Sequence, residues 1–460
     1  MLVRGRFDAA RTTPDNRRHW ANADGLSADA AASPDVRQTL RNRSRYEVAN
    51  NSYARGIVLT LANDCVGTGP RLQLLAGDSL TNRLVERAFA DWAREIRLAE
   101  KLRTMRMAKA TDGEAFAILT ANPNLASPIK LDVRLVEADR VTNPDLKIAT
   151  TNAIDGIEFD RYGNPKRYFV MREHPGAVAC TTAIDAYDRI PAEAMIHWFR
   201  TDRPGQHRGI PEITPALPLF AQLRRYTLAV LGAAESAANI AILMKTSAPA
   251  GGESAEVEPM TEMEFVPNMA VFTPEGWEPS QIKAEQPATT YDMFKRELLN
   301  EIARCLNMPF NIAAGNSSGY NYASGRLDHQ TYFKSIRIEQ ADCDSVVLDR
   351  ILTAWMGEAE LLTEFSFLRG MDELAHQWFW DGTEHVDPAK EAMAQEKRLA
   401  NNTTTLAAEY ARQGKDWETE LRQRAKEKQL MDELGLSAAE ATPRTEQESD
   451  TDVEDQRQAA

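Results

Sequence analysis

The sequence predicts a mixed α+β chain built from several parts, and three observations predict it. Apolar residues recur at helical spacing in five stretches, near 46–61, 80–102, 211–245, 289–306 and 327–356. Between residues 112 and 200 the period drops to two: Ile129, Leu131, Val133 and Leu135 alternate with polar residues, as in a half-buried strand. Both ends, and a segment near 246–288, are poor in large apolar residues.

Composition narrows the function. The chain has 460 residues, with 54 Lys and Arg against 68 Asp and Glu, a formal charge of -14. Binding free nucleic acid by bulk electrostatics needs many cations to displace counterions, so that class is excluded. A protein that must let DNA pass without sticking is not. Cys65, Cys180, Cys305 and Cys343 form no C-x-x-C pair and are expected to be free thiols in a reducing compartment. The first twenty residues lack an apolar stretch of signal-peptide length. The most apolar window, Leu217 to Met244, is interrupted by Arg224, Arg225 and Glu235, short of the roughly 18 to 20 apolar residues of a membrane span. A soluble protein with no membrane partner is expected.

Residues 1–45 carry nine Arg and five Asp with few large apolar residues and are expected to form a disordered basic arm. A helix is expected from about Arg45, with Tyr46, Ala49, Tyr53, Ile57 and Leu61 on one face, stopped by Gly67 and Gly69-Pro70. A second covers Leu80 to Leu102, with Leu84, Phe89, Trp92 and Ile96 together. GIEFD and RYFVM flank Tyr162-Gly163-Asn164-Pro165 as a hairpin, and Ala194 to Phe199 makes a further strand.

Pro211, Pro215 and Pro218 precede a helix rich in small residues: Ala229, Gly232, Ala233, Ala234, Ala237, Ala238 and Ala241. Residues 246–288 set Glu253, Glu256, Glu258, Glu262, Glu264, Glu275, Glu278 and Glu285 against the single Lys283. Short strands are expected there at Met263–Val266 and Ala270–Phe272. The next helix, 289–306, places Phe294, Leu298, Ile302 and Leu306 at four-residue steps. The loop that follows is longer than the roughly 2 to 8 residues of most helix connections. The longest helix, Leu327 to Met356, would run about 45 Å. Polar helices close the chain, with Gly414 and Gly435 as stops, Asp416 as an N-cap, and i,i+4 pairs Glu418–Arg422 and Glu420–Arg424. The acidic tail, 437–460, is expected to be disordered.

No catalytic set emerges. Gly315-Asn316-Ser317-Ser318-Gly319 fits G-x-S-x-G, but a nucleophile elbow needs a strand before it and a helix directly after it. His329 and His376 are available as bases only in the sense that any His would be. Val66-Gly67-Thr68-Gly69-Pro70 is half a dinucleotide fingerprint and reads better as a turn. No G-x-x-x-x-G-K-[ST] occurs, so a P-loop ATPase is unsupported. Asp342-Cys343-Asp344 and Glu384-His385-Val386-Asp387 lack identifiable partners for a cation. The expectation is no enzyme, no cofactor and no metal. The alternatives are another oligomeric virion protein, such as a head–tail connector, against which the length argues, and a serine hydrolase using Ser317.

Five stretches, in order, resemble the bacteriophage portal proteins of the lambda type. They are RNRSRYEVANNSYARGIVLTLANDCVGTGPRLQL, DGIEFDRYGNPKRYFV, HWFRTDRPGQHRGIPEITPAL, NEIARCLNMPFNIAAG with NYASGRLDHQTYF, and VDPAKEAMAQEKRLANN. The resemblance spans about Arg41 to Leu436. It implies a subunit of a ring, usually twelve-fold, at one vertex of the phage head, through which a separate terminase pumps double-stranded DNA. It also implies a wing at 46–210 and 326–375, stem helices at 211–245 and 289–306, a small β-containing clip at 246–288, a tunnel loop at 307–325 and a helical crown at 376–436.

On that mapping Asn311, Asn316, Ser317, Ser318, Tyr320, Asn321 and Tyr322 would face DNA. Gly232, Ala233, Ala237 and Ala241 would pack stem helices, and Glu256, Glu258, Glu262 and Glu264 would dock partners at the clip. The implied partners are further copies of the chain, the terminase large subunit, head–tail adaptors, and the major capsid and scaffolding proteins. The implied location is the virion, after assembly in the host bacterial cytoplasm.

Overall fold

A computed structural model describes residues 10–75, 79–144, 153–177, 187–239, 243–246, 277–280, 290–319, 322–369, 375–382 and 388–436. Order begins earlier than composition predicts. A short helix α1 (Ala28–Ala31), capped by the Ser27 side chain, precedes α2 (Pro34–Asn50). The arginines that made this stretch look like a mobile arm are what fasten it. Arg37 and Arg41 are buried, and α2 pairs with the sheet region as described below.

The single helix expected from Arg45 is therefore two. Asn51 ends α2 and caps α3 (Ser52–Val66), its side chain accepting from the N–H groups of Tyr53 and Ala54. Tyr46 belongs to α2 and is exposed, whereas Ile57 and Leu61 are core. Gly67 and Gly69, both at positive φ, turn the chain into β1 (Arg71–Leu74). The next expected helix is also split, into α4 (Ser79–Glu95) and α5 (Leu98–Asp112), by Arg97 in the left-handed region at φ 57°. Phe89, Trp92 and Ile96 are buried; Leu84 is exposed.

The period-two region forms two antiparallel sheets. The first comprises β2 (Glu114–Ala121), β3 (Leu131–Val136) and the later β8, with β2 in the middle. The second runs in order through β4 (Ala153–Ile154), β5 (Ile157–Phe159), β6 (Pro165–Met171) and β7 (Tyr187–Pro191). The turn expected at Tyr162–Pro165 joins β5 to β6. The strand expected at Ala194–Phe199 is β8 (Met195–Phe199).

The chain then enters α6 (Leu217–Asn239), whose first turns bury Leu217, Phe220 and Leu223. The helix does not reach residue 245 as expected. Residues 243–246 are β9 (Leu243–Thr246), paired antiparallel with β10 (Trp277–Ser280). The expected strands at 263–266 and 270–272 lie outside the described residues. Helix α7 is Thr290–Arg304 and α8 is Phe310–Ala314. Helix α9 (Tyr322–Cys343) continues through a π-helical turn, Asp344–Leu348, into α10 (Asp349–Ala359). Ile336, Cys343, Val347, Ile351 and Trp355 are buried, as their spacing predicts.

Residues 376–379 do not begin a helical part. They form β11 (His376–Phe379), paired antiparallel with β1 in register Arg71↔Phe379 to Leu74↔His376. The indole N–H of Trp378 donates to Asp349 at 2.8 Å and that of Trp380 to Asp344 at 3.0 Å, while His376 Nε2 lies 3.1 Å from Asp349. Alternating aromatic and polar residues make a strand fastened to the π turn, so the first compact unit runs to Trp380.

The second unit, from Asp381, holds α11 (Pro388–Ala400), α12 (Leu406–Arg412) and α13 (Trp417–Glu433). Arg398 forks onto buried Glu409, both bonds 3.0 Å, and bonds Glu391 at 2.7 Å. Asp416 caps α13, and Arg422 pairs with Glu418 at 3.1 Å. Gly414 and Gly435 sit at positive φ, as stops should. Among the described residues no helix is long and apolar enough to cross a membrane.

Candidate functional site

Two places in the first unit concentrate polar chemistry. The larger is buried at the junction of α2, β2 and the segment before α6. Gly113 (φ 93°) and Gly209 lie back to back there. A Cβ on Gly113 would come 2.4 Å from the Ile210 backbone, so no other residue fits. That close approach sets Arg208 against Glu114. Arg208 Nη2 donates to Glu114 Oε1 at 2.6 Å and Nε to Oε2 at 2.8 Å; the Gly209 N–H and His197 add contacts at 3.1 Å.

Arg208 also reaches Asp155 at 3.0 Å, and Arg37 donates to the same carboxylate. Arg45 forks onto Asp112 at 2.7 and 2.8 Å, and Arg41 reaches Asp139 at 3.2 Å. Burial opposes the charge of Glu114, but the Arg208 cation and the His197 and Arg208 hydrogen bonds hold its carboxyl well below the usual range. Burial and the Arg208 charge push Arg37 down to about 9. His197, pushed down mainly by burial, favours its neutral form. Every acid here faces a base, and the cluster fastens α2 to the sheets rather than opening to a substrate.

The second place is the segment between α7 and α9. It is not the continuous loop expected over 307–325. Asn307 (φ 52°) turns the chain, Pro309 starts α8, and Gly315 (φ 62°) ends it. Leu306, Met308 and Ala313 bury beneath. Among the described residues of this segment, Asn307 and 315–319 are exposed, the latter as a turn built by the Asn316 side chain accepting the Ser318 N–H at 2.9 Å. The Arg296 Nη2 of α7 donates to the Ser318 carbonyl at 3.3 Å.

Of the expected DNA-facing residues, Asn316, Ser317 and Ser318 are exposed on this turn. Asn311 is part-buried in α8, its amide 3.0 Å from His329 Nε2. Tyr322 opens α9; Tyr320 and Asn321 lie outside the described residues. Nearby, Tyr332 donates to Asp64 at 2.7 Å; burial raises both groups, and the Asp64 charge raises Tyr332 further.

The elbow geometry that Ser317 would need is missing. Helix α8 precedes it instead of a strand, His329 is engaged by Asn311, and His376 by Asp349. Burial pushes the Cys305 thiol up to about 11, away from a thiolate nucleophile. Asp342 and Asp344 point apart, to Trp198 and Trp380. Among the described residues no group of three or more His, Cys, Asp and Glu could hold a metal.

Helices α6 and α7 meet through Tyr226, stacked on Tyr291 at 5.5 Å and edge-on to Phe294 at 4.9 Å. Beyond that contact the pair exposes Leu228 (59%), Leu231 (54%), Met293 (60%) and Phe294 (50%). Gly232 has nothing within 4 Å of a built Cβ and Ala233 is half-buried. Ala237 lies in α6, while Ala241 and the glutamates Glu256, Glu258, Glu262 and Glu264 lie outside the described residues. Sequence spacing missed Arg296, Arg208 and Glu114. Arg296 stands in a run of charged residues on α7 that marks no site, and the latter two are 94 residues apart with no local signal.

Residues 14–340 match the family of phage portal proteins, lambda family. The match covers more than half of the chain, which therefore belongs to that family and is a portal protein of a phage particle. A curated relative described as a probable portal protein, from Halomonas phage phiHAP-1, is 24% identical over 446 residues, covering 89% of this chain and 83% of its own. Among solved structures, the neck of a native gene transfer agent particle matches with a TM-score of 0.45 at 13% identity, covering 81% of this chain and 90% of that one. A portal protein of the HK97 family from Corynebacterium diphtheriae matches with a TM-score of 0.30 at 12% identity, covering 63% and 85%.

Proposed function

We propose that copies of this chain close into a ring, twelve-fold, at one capsid vertex. Double-stranded DNA passes inward through it, driven by a separate terminase, and later outward. The family match over residues 14–340 carries this reading. In it, 28–210 with 322–380 forms the wing and α6 with α7 the stem. The segment between them is the clip, and 381–436 the crown. The apolar side chains that α6 and α7 leave exposed would be covered by neighbouring copies.

The turn at 315–319 would face the channel. Neutral amide and hydroxyl donors there touch phosphates weakly, which suits a conduit, and a net charge of -14 disfavours retention of the duplex. The terminase large subunit, head–tail adaptors, and capsid and scaffolding proteins would contact the outside of the ring. The clip glutamates Glu256, Glu258, Glu262 and Glu264 are the proposed docking surface. The ring would assemble in the host bacterial cytoplasm.

The test is the mass of the purified full-length protein in solution, with particle images. Twelve copies of a 51.4 kDa chain give about 617 kDa and a central hole wide enough for a duplex. A compact monomer at high concentration, even with capsid scaffold supplied, would sink the ring.

A further inference from the structure

Arg296 is half-buried on α7, and among the described residues it makes no ion pair. Its guanidinium lies 5.0 Å from the centre of the Phe310 ring at the start of α8. Its Nη2 donates to the Ser318 carbonyl at 3.3 Å. Gly319, at φ 84°, passes so close that a Cβ there would come 3.2 Å from the same nitrogen. One cation thus stacks on the base of the turn and holds its tip.

The energetics of that hold are uneven. A guanidinium has five N–H donors in a fixed fork. The cation–π contact with Phe310 restrains the side chain, which lowers the entropy lost on binding. The bond to Ser318, at 3.3 Å, is longer than the usual range for a neutral carbonyl acceptor. A phosphate oxygen offers a shorter, charge-assisted and roughly twice as strong bond, often two at once. The group that holds the turn therefore prefers a phosphodiester to the carbonyl it holds.

We propose that Arg296 is the positioning residue of the 315–319 turn: it ties the turn to α7 and releases it when a duplex phosphate takes the guanidinium. This rests on the reading of the turn as the part of the protein that faces DNA. The turn would then be held back in an empty ring and freed where DNA is present, so that contact is made only by subunits next to the strand.

The test uses the assembled full-length protein, with hydrogen exchange read at residues 315–319 in the absence and presence of a short blunt-ended duplex of mixed sequence. Without DNA, Arg296→Ala should speed exchange at these amides by about tenfold, the loss of one modest hold, and leave the buried amides of α7 unchanged. Arg296→Lys, which keeps the charge but loses the fork and the stack, should fall between. Adding duplex should speed exchange in the wild type and leave Arg296→Ala unchanged. Its affinity for duplex should also depend less steeply on salt.

Unchanged exchange in Arg296→Ala without DNA would overturn the tether. A DNA response that survives in Arg296→Ala would overturn the hand-over while leaving the DNA-facing reading intact. No DNA response anywhere in the wild-type turn would overturn that reading, and the hand-over with it.

Discussion

The junction of α2 with the sheets and the pair α6–α7 are held by opposite means. At the junction, Arg37, Arg41, Arg45 and Arg208 meet Asp112, Glu114, Asp139 and Asp155, with Glu114 and Arg208 almost wholly out of water. In the pair, the core buries one end, with Phe220, Leu223, Leu299 and Ile302, while farther along a tyrosine stack, an edge contact and a Tyr291–Thr227 hydrogen bond join helices that show Leu228, Leu231 and Met293 to solvent. The charges of the junction meet their opposites within one chain. The pair leaves apolar side chains in solvent, and in the proposed ring these would be what neighbouring copies cover.

Breaking the junction should have the largest effect. Glu114→Ala leaves buried Arg208 with Asp155 alone, a carboxylate it shares with Arg37, and should cost about 3–5 kcal/mol in chemical denaturation. A loss under about 1 kcal/mol would mean that water reaches the cluster. Next, Asn51→Ala removes the cap where α2 and α3 meet and should cost about 1 kcal/mol, read by the same assay.

The strap β11 should respond to pH. Burial, with a further push from the Asp349 charge, raises Asp344 to about 7 against the lowering effect of the Trp380 hydrogen bond. A raised acid stabilises the fold fully below its ordinary value of 3.8, and that contribution is lost as pH climbs through about 7. Exchange at β1 and β11 should accelerate over that window in the wild type and stay flat in Asp344→Asn. The smallest effect sharpens the comparison most. Leu228→Ser and Met293→Ser should each change the stability of the isolated chain by about 0.5 kcal/mol or less, yet lower the fraction of full rings seen by native mass spectrometry.

How much of this was legible in the sequence follows the range of the forces involved. Helices and strands that obey one period along their whole length could be read directly: β3, β8, α7 and the α9–α10 face. The breaks could not. Asn51 and Arg97 carry no signal strong enough to interrupt an apolar stripe, so two pairs of helices read as two single ones. The arm before residue 45 was misread because its charges looked like solvent-facing ones. Their partners, Asp112, Glu114, Asp139 and Asp155, are 67 to 118 residues away. Strand β11 was lost in the same way, since its pairing with β1 spans 304 residues between Gln73 and Gln377. For the candidate loop, glycine and asparagine marked the exposed turn correctly, while the contact from Arg296 across 22 residues left no trace.

The π turn at 344–348 has a consequence for how the long helix presents its two ends. Ile336 and Trp355 are both buried yet nineteen positions apart, which on an uninterrupted α-helix would leave them about 100° out of phase. A π turn absorbs about one extra residue, a rotation of about the same size. It therefore acts as a phase corrector, bringing the far half of the helix back onto the azimuth of the near half. One continuous helix can then serve the layer around Tyr332 and the layer around Trp355.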